Sequence, residues 1–335
     1  MNTAKPGLFS ICLLGYNHAP FIAKNLQAFW QCNWPAVEII VLDDGSKDNS
    51  RQILQELAEK SPVPIKLILQ ENAGNIAKNF NTLLRHAEGE FIQFMALDDM
   101  PNPAGVQEAL ARLQNTPTDA FVFSEQTPLI NERGEEQGFS PFKLHEGEQA
   151  TPQNMLELEY NHLHSFFIQN AVFRKSAVAA VGGFDEDQTG DDIILRTKLF
   201  RMLEGNPNMR FEIIKTPLCH YRIHENNIHK NRLRQIKTAT EYLERYWPQR
   251  PNPAVLIEWA KDLIQNEPYE KTFEMFALNK RCGQLILNKE LQTALITKIT
   301  REHSPWHFIY KKEKNCKQRT ITLFSCLRFS YTHKS

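Results

Sequence analysis

The first half of the chain alternates between strand-like and helix-like segments. Short apolar runs such as 9–14 and 38–42 are each followed by a segment whose apolar residues recur at helical spacing. Parallel strands require crossover connections, which are usually helices. The alternation therefore predicts an α/β fold with a mostly parallel central sheet that helices cover on both faces. The predicted strands are 9–14, 38–42, 65–69, 91–95 and 119–124, and the predicted helices between them are 20–30, 49–59, 76–87 and 103–113.

The second half of the chain has a weaker pattern in which helices predominate. Residues 126–164 are interpreted as loop-rich, and the chain from about residue 231 onward is mainly helical by pattern. A chain of 335 residues, at about 150 residues per domain, suggests two domains. We predict a ligand-binding domain over 1–228 and a helical region over 229–335. Between them the pattern predicts a strand at 166–173 and helices at 175–181 and from near Asp191 to Phe200.

Charge and apolar content argue against several classes of protein. The 39 basic and 39 acidic side chains give a formal net charge of zero, whereas a dedicated nucleic-acid-binding protein normally has a basic excess. The longest apolar runs fall far short of the roughly 20 residues that span a bilayer, and the first residues lack a signal-peptide pattern. The six cysteines are scattered without a Cys-x-x-Cys pair, which indicates reduced thiols and a cytoplasmic location.

Polar side chains follow three of the predicted strands, at the point where each strand ends. Tyr16 and Asn17 follow the first strand, the pair Asp43–Asp44 the second, and the pair Asp98–Asp99 the fourth. In sheets of this kind, ligands bind beyond the carboxyl ends of the strands, where the strand order reverses. The sequence therefore predicts one site at this edge of the sheet.

The acidic pairs allow more than one interpretation. Adjacent carboxylates such as Asp98 and Asp99 need a counter-charge, which a divalent cation with phosphate oxygens would supply; alternatively they cap the helix that begins at Pro103. Asp191 and Asp192 stand at the start of another predicted helix. There, one carboxylate could be a general base, or both could simply complement the helix dipole. Spacing alone leaves these alternatives open.

The histidines and the absence of several known motifs exclude further classes of enzyme. His220, His224 and His229 are candidate metal ligands, but the chain has no HExxH pattern, which disfavours a zinc protease. It also has no GxxxxGK[ST] loop and no GxGxxG fingerprint. These absences argue against a P-loop NTPase or a dehydrogenase, and leave a nucleotide held by carboxylates and a metal.

Five segments, in order, resemble the family 2 glycosyltransferases, inverting enzymes with a GT-A fold that use nucleotide-diphosphate sugars. The resemblance covers residues 8 to about 228 and includes a closing segment similar to "YRxH..N" and a central one similar to "EIIVvDDGStDnT". It implies a Rossmann-like GT-A domain with a mostly parallel sheet. The five segments are FSICLLGYN (9–17), EIIVLDDGSKDNS (38–50), EGEFIQFMALDD (88–99), GGFDEDQTGDDIIL (182–195) and YRIHENN (221–227).

The resemblance also implies a role for each matching residue. Tyr16, with Asn17 beside it, would lie against the nucleotide base, and Asp43 and Asp44 would hydrogen-bond the base and ribose. Asp191 or Asp192 would deprotonate the acceptor hydroxyl for in-line attack at the anomeric carbon; the match to "EDxxL" favours Asp192, whereas alignment on Gly190 favours Asp191. Asp99, helped by Asp98 and His224, would hold Mn²⁺ or Mg²⁺, and the remaining donor-binding candidates are Asn79, Asn81 and Arg222.

Some positions depart from the family pattern. Ala96 stands where the family often has an aspartate two residues before the metal pair, which puts metal binding in some doubt. Asp191 stands where glutamate is usual, which shortens that side chain by one methylene. The segment 74–81 is only loosely similar to a "GxxxKNF" pattern of rhamnosyl-type members, and it is the basis for naming Asn79 and Asn81.

The C-terminal stretch carries a local basic charge. Residues 305–335 contain seven basic side chains and one acidic side chain, and an apolar run over 321–329 follows the basic cluster. Such a segment suits an anionic membrane surface, although a solvated tail or a contact between protomers of a homodimer would use the same residues. We therefore expect 311–335 to contact the inner face of the cytoplasmic membrane.

These observations favour a metal-dependent glycosyltransferase that extends a cell-surface glycan, either free or lipid-linked. A non-catalytic nucleotide-sugar-binding protein is one alternative, but such a relative would be expected to lose Asp99 or the pair at 191–192, and this chain keeps both. A nucleotidyltransferase is another alternative. It would be expected to show a glycine-rich basic loop after the first strand, where this chain has Gly15, Tyr16 and Asn17.

Overall fold

The computed structural model describes residues 4–140, 149–225, 227, 231–302, 318–323 and 327–332. The chain divides into two compact units, Met1–Leu256 and Ile257–Ser335. The boundary at residue 228 that the sequence predicts separates a ligand-binding domain from a helical region, and it stays a prediction. Within the described ranges, no helix combines the length and the apolar character needed to cross a membrane.

The first unit is a three-layer α/β structure. Its strands are β1 (Lys5–Gly15), β2 (Val37–Asp44), β3 (Ile65–Gln70), β4 (Gly89–Ala96), β5 (Met100–Pro101), β6 (Asp119–Ser124), β7 (Thr127–Ile130), β8 (Glu136–Ser140), β9 (Ala171–Arg174), β10 (Arg210–Ile214) and β11 (Cys219–Arg222). Its helices are α1 (Ala19–Phe29), α2 (Ser50–Lys60), α3 (Ile76–His86), α4 (Pro103–Asn115), α5 (Pro152–His162), α6 (Lys175–Ala180), α7 (Asp192–Glu204) and α8 (Arg232–Tyr246).

Seven strands form the central sheet, in the order β10-β6-β9-β4-β1-β2-β3. All neighbouring pairs are parallel except those of β9, which is antiparallel to both β4 and β6. The prediction of a mostly parallel sheet with flanking helices is confirmed. A second sheet, in the order β5-β11-β7-β8, lies at the end of β4, where the chain leaves the central sheet.

Alternation along the strands produces the two halves of the core. On β6, Phe121 and Phe123 belong to one apolar cluster, whereas Val122 between them belongs to the cluster on the opposite face. Phe123 stacks on Phe166 with a ring-centroid distance of 4.0 Å. Successive side chains of a strand point to opposite faces of the sheet. Because both faces of this sheet are buried, the sequences of its strands are nearly continuous apolar runs.

The second unit is mainly helical, as expected for the C-terminal region. Its buried side chains include Leu263, Ile264, Met275 and Leu291. Two antiparallel strands follow the helices, which the sequence pattern did not predict. The elements in or entering this unit are α9 (Ala254–Asn266), α10 (Tyr269–Ala277), α11 (Lys280–Gln284), α12 (Lys289–Glu302), β12 (Gln318–Leu323) and β13 (Leu327–Thr332).

The interpretation of 126–164 as loop-rich is wrong in part. The segment contains β7, β8 and α5. The strands are short, and β8 is exposed along most of its length, so it carries no apolar alternation. Helix α5 had a readable start, because Thr151 accepts a hydrogen bond from the Asn154 amide and a proline occupies the first turn. The strands β10 and β11 were also not predicted.

The contact between α4 and the segment before β11 gives a test of this fold. A Cβ atom at Gly105 would lie 1.9 Å from the Pro217 carbonyl oxygen, a backbone atom that must then move. We expect Gly105→Ala to lower the free energy of unfolding by about 1–3 kcal/mol, measured by thermal or urea unfolding. Gly205→Ala is the matched control, because its nearest contact would be at 3.6 Å. Equal stability of the two variants would contradict this packing.

Candidate functional site

The polar residues that follow the strands lie along one edge of the central sheet. Gly15 is paired with Asp43, and Asp43 with Leu69, so the ends of β1, β2 and β3 are level. Leu14 is paired with Ala96, which brings the segment after β4 to the same edge. Tyr16 lies at this edge and is 41% exposed, so its ring is available to a ligand.

Asn17 joins the loops that follow β1 and β2. Its backbone has φ of 57°, in the left-handed region that asparagine tolerates. Its amide donates to the Ser46 hydroxyl at 2.8 Å, and its side-chain oxygen accepts from the Lys47 amide at 2.8 Å. Asn17 therefore holds the loop that presents Tyr16, and its predicted contact with the donor stays a prediction.

Asp43 and Asp44 are buried at the end of β2 and are held in different ways. Asp43 Oδ1 accepts from the Ser46 amide at 3.0 Å and from Arg51 Nε at 2.7 Å. Its Oδ2 is buried without a hydrogen-bond partner in the described part of the chain. Because a buried acceptor without a partner is costly, Asp43 Oδ2 is an atom that a bound ligand could satisfy.

Gln70 links Asp44 to Asn79. The side-chain nitrogen of Gln70, Nε2, donates to Asp44 Oδ1 at 2.7 Å and to Asn79 Oδ1 at 2.9 Å. Asp44 Oδ1 also accepts from the Ala73 amide at 2.8 Å. The structure thus places Asp44 and Asn79 side by side, beside the edge that carries Asp43.

Asn81 contacts the glycine-containing loop that precedes α7. Its side-chain oxygen accepts from the Phe184 amide at 2.9 Å, and its nitrogen donates to the Phe184 carbonyl and to Glu186 Oε1 at 2.9 Å each. A Cβ atom at Gly183 would lie 2.5 Å from Asn81 Oδ1, so this close approach favours glycine. Asn81 therefore positions the loop that leads to the pair at 191–192, and its polar atoms are already used.

Asp98 is buried among imidazole groups. Its Oδ2 lies 2.9 Å from His224 Nε2 and 3.6 Å from His18 Nε2, whereas its Oδ1 is buried without a partner among the described residues. Burial opposes its ionisation, but the hydrogen bond with His224 and the charges of His224 and His18 outweigh burial and lower the pKa of Asp98. Asp98 therefore offers one charged oxygen with no partner.

Asp99 points into the protein. Its Oδ1 accepts from the Arg222 amide at 2.9 Å, and its Oδ2 accepts from Gln169 Nε2 at 3.1 Å. Burial, reinforced by the charge of Asp98, raises the pKa of Asp99 well above its usual range. The pKa values of the two neighbouring carboxyl groups are thus shifted in opposite directions.

Arg222 is 2% exposed and binds backbone carbonyl groups. Its Nε donates to the Asp98 carbonyl at 2.6 Å, and its Nη1 donates to the carbonyls of Asn131 and Glu132 at 2.7 and 3.1 Å. The guanidinium also lies over the Phe21 ring at 4.8 Å. Arg222 was named as a donor-binding residue; in the structure it connects β11 to the end of β4 and to the turn after β7.

Asp191 and Asp192 stand at the start of α7, as predicted. Asp191 occupies the N-cap position without a side-chain capping hydrogen bond. Asp192 is 28% exposed and accepts a hydrogen bond from the Ile168 amide, and its Oδ2 lies 3.7 Å from Arg196 Nη1. Burial and then the charge of Asp191 raise the pKa of Asp192 to about 7, despite the opposing charge of Arg196.

A buried ion pair stands behind Asp192. Arg196 Nε and Nη2 donate to the two carboxylate oxygens of Glu159 at 2.6 and 3.1 Å, and Ser165 donates to the same carboxylate. Arg196 is 1% exposed and Glu159 is completely buried. Because Arg196 is paired mainly with Glu159, its positive charge only partly compensates the negative charge of Asp192. This is consistent with the raised pKa of Asp192.

Tyr221 lies between the two acidic pairs. After burial, the groups that raise its pKa are Asp99, Asp98, Asp192 and Asp191, in that order. His18 similarly connects the edge of β2 to the acidic residues after β4, since Asp98 and Asp43 both act on its titration. The predicted site residues on β2, β4, β11 and α7 therefore belong to one region of the first unit.

A divalent cation has a suitable place beside Asp98. Hard cations such as Mg²⁺ use one or two carboxylates together with substrate phosphates, and Asp98 Oδ1 is a buried, charged oxygen with no partner among the described residues. His224 Nε2 lies 2.9 Å from the other oxygen of Asp98. Within the described ranges, no group of three or more His, Cys, Asp or Glu side chains converges on a metal position.

Several residues of the site were missed by sequence reasoning. His18 had a signal, since it directly follows the Tyr-Asn turn, and Glu159 had one, since it is a charged residue within the apolar pattern of α5. Gln169 and Ile168 had none, because a short helical turn at Ile168–Asn170 places them. His220 lies on β11, and His229 lies outside the described residues.

The family model named "Glycosyl transferase family 2" matches residues 10–182, which is more than half of the chain. The chain belongs to glycosyl transferase family 2. Two curated relatives show partial matches. TarS of Staphylococcus aureus, a poly(ribitol-phosphate) β-N-acetylglucosaminyltransferase, is 29% identical over 128 residues, or 38% of this chain and 22% of TarS.

The second relative is WfgD of Escherichia coli, a UDP-Glc:α-D-GlcNAc-diphosphoundecaprenol β-1,3-glucosyltransferase. It is 33% identical over 93 residues, which are 28% of this chain and 36% of WfgD. The matches thus span less than two thirds of either relative.

Two solved structures share the fold. TarS residues 1–349 in complex with UDP-GlcNAc superpose with a TM-score of 0.55 at 19% identity, covering 88% of this chain and 91% of that chain. The Pyrobaculum calidifontis mannosyltransferase PcManGT, in complex with GDP-Man and Mn²⁺, gives 0.53 at 18% identity, covering 87% and 83%. The GT-A fold that the sequence resemblance implied is confirmed.

The position of Arg222 gives a test of this site. Lysine cannot reach three carbonyl groups at once, so we expect Arg222→Lys to lower the free energy of unfolding by about 2–4 kcal/mol. Arg210→Lys is the control, because Arg210 is 66% exposed. Unchanged urea unfolding of Arg222→Lys, together with weaker nucleotide-sugar binding, would instead show that Arg222 contacts the donor directly.

Proposed function

We propose that this protein is an inverting glycosyltransferase that moves a sugar from a UDP-sugar to a hydroxyl group of a growing cell-surface glycan, such as a capsule, O-antigen or lipooligosaccharide. The observation that carries the proposal is the placement of two acidic pairs around Tyr221. One pair is buried beside imidazoles, and the other has a half-buried member with a raised pKa. Membership of glycosyl transferase family 2 supports the reaction class.

The donor nucleotide would bind along the ends of β1 and β2. Tyr16 offers an exposed ring for the base, and Asp43 offers a buried oxygen without a partner among the described residues for a hydroxyl or ring N–H group. Asp44 and Asn79 lie beside it. A uridine nucleotide is favoured because TarS was solved with UDP-GlcNAc and WfgD is named for UDP-Glc.

Asp98 and His224 would hold a divalent cation, Mn²⁺ or Mg²⁺, which when bound supplies Lewis-acid stabilisation of charge on the diphosphate. The lowered pKa keeps Asp98 ionised for this role. The sequence named Asp99 first as the metal ligand, but its two oxygens already accept hydrogen bonds from Arg222 and Gln169. We therefore assign Asp99 to positioning β11 and Asp98 to the cation.

Asp192 would be the general base. Its carboxylate takes the proton of the acceptor hydroxyl, whose oxygen then forms a bond to the anomeric carbon. The bond between that carbon and the diphosphate oxygen breaks, and its electron pair leaves with the nucleoside diphosphate. A base works best when its pKa is near the working pH, and the half-exposed Asp192, with its pKa of about 7, fits this requirement better than Asp191.

Cellular location and assembly also remain proposals. Of the segment 311–335, which we propose as the contact with the inner face of the cytoplasmic membrane, the structure describes 318–323 and 327–332. Its net basic charge supports the proposal, because anionic lipids attract such segments. A homodimer, and an acceptor that is lipid-linked, are further proposals.

The titration of Asp192 gives a test of the proposed reaction. Protonation removes the base, so nucleotide release from UDP-sugars is expected to fall as the pH drops below about 7, with a slope of one in log kcat. Asp192→Asn should reduce kcat by about 100-fold or more. Asp191→Asn removes a like charge that raises the pKa of Asp192, so the acid limb should move to lower pH while activity remains.

Asp187→Asn is the matched control, because Asp187 is exposed in the loop before α7 and pairs with Arg245. It should leave the pH profile unchanged. Full transfer activity in Asp192→Asn would contradict the assignment of the base. If the wild-type chain releases no nucleotide from UDP-Glc, UDP-GlcNAc or GDP-Man with Mn²⁺ and a sugar acceptor present, the proposed function itself is wrong.

A further inference from the structure

Two aromatic side chains form a stacked pair in the site. The ring centroids of Phe167 and Tyr221 are 4.6 Å apart, and their planes are inclined by 19°. Both residues are only partly buried. His164 packs against Phe167 with a centroid distance of 4.8 Å at 59°. Neither the donor contacts nor the base described above makes use of these rings.

The chain neighbours of the two rings contact the two acidic pairs. Phe167 immediately precedes Ile168, whose amide donates to Asp192. Tyr221 immediately precedes Arg222, whose amide donates to Asp99 at 2.9 Å. One ring therefore belongs to the segment that binds the base, and the other to the strand that binds the buried acid.

The reaction places a strict demand on this region. The acceptor hydroxyl must lie within hydrogen-bonding distance of Asp192 and also in line with the bond that breaks at the anomeric carbon. In the proposed function, that carbon is held by the diphosphate near Asp98. The group that carries the hydroxyl must therefore occupy the space next to Phe167 and Tyr221.

The chemistry of this space favours an uncharged ring. The face of an aromatic ring carries partial negative charge, so it attracts C–H groups with partial positive charge. A pyranose presents such C–H groups on one face. A phosphate on the acceptor would add negative charge beside Asp98 and the donor diphosphate, while the nearby cations are already engaged: Arg222 with carbonyl groups, and Arg196 with Glu159.

We infer that Phe167 and Tyr221 form the acceptor subsite, and that the acceptor is an uncharged sugar ring that lies with its C–H face against this pair. The inference rests on the proposed function and names its substrate class. It separates this chain from TarS, whose name describes a poly(ribitol-phosphate) acceptor.

The test measures acceptor binding by saturation-transfer NMR, with UDP and diamagnetic Mg²⁺ present, and transfer kinetics, both on the full chain. The probes are methyl β-glucopyranoside, methyl β-N-acetylglucosaminide, methyl β-galactopyranoside and ribitol 5-phosphate. We expect transfer of saturation to the axial C–H protons of at least one glycoside, and none to ribitol 5-phosphate. Phe167→Leu, which keeps an apolar side chain but removes the ring, should raise the KM for that glycoside about tenfold, with a smaller change in kcat.

Phe167→Tyr keeps the aromatic face and should return the acceptor KM to within about threefold of wild type. Phe139→Leu is the matched control, because Phe139 is an exposed aromatic residue (58%) on β8, and it should change neither parameter. A KM for the glycoside that is unchanged in Phe167→Leu would overturn the inference, as would saturation of ribitol 5-phosphate alone. Either result leaves the proposed function standing, because nucleotide release and its dependence on Asp192 are measured separately.

Discussion

The geometry of the site depends on one buried cation, the guanidinium of Arg222. A charge that leaves water is tolerated only when its donors find acceptors, and here the acceptors are the backbone carbonyls of Asp98, Asn131 and Glu132. These hydrogen bonds fix β11 against the end of β4 and the turn after β7. The same strand leads to His224, so the side chain beside the proposed cation position is placed by contacts that involve no ligand.

Two acidic pairs that look alike in the sequence acquire different properties from their surroundings. Asp98 faces two imidazoles and has a lowered pKa, whereas Asp99 faces an amide and a glutamine and has a raised one. In the second pair, Asp192 is half-buried and only partly compensated by a nearby arginine, which raises its pKa to about 7. Desolvation and a neighbouring like charge raise the pKa values of Asp99 and Asp192, whereas the hydrogen bond with His224 and the charges of two imidazoles lower the pKa of Asp98.

Much of the fold follows from the sequence, because strands buried on both faces and amphipathic helices have distinct periods. The strands that end at Asp43 and near Asp98 were predicted in this way. The second sheet was not, since its strands are short and partly exposed and are held by distant segments. The sequence could also predict that the pair at 98–99 belongs to the site, but not the direction in which each side chain points. Arg222 and Gln169 determine the direction of Asp99, and both lie more than 65 residues away in the chain.

The central claim is that Asp98, and not Asp99, faces the cation of the donor complex. The most direct measurement is the affinity for Mn²⁺ in the presence of UDP, obtained by electron paramagnetic resonance of free Mn²⁺ for wild type, Asp98→Asn and Asp99→Asn. The structure predicts that Asp98→Asn weakens Mn²⁺ binding by about tenfold or more, because it removes the ionised oxygen, whereas Asp99→Asn stays within about threefold. The reverse order of the two variants would contradict this account.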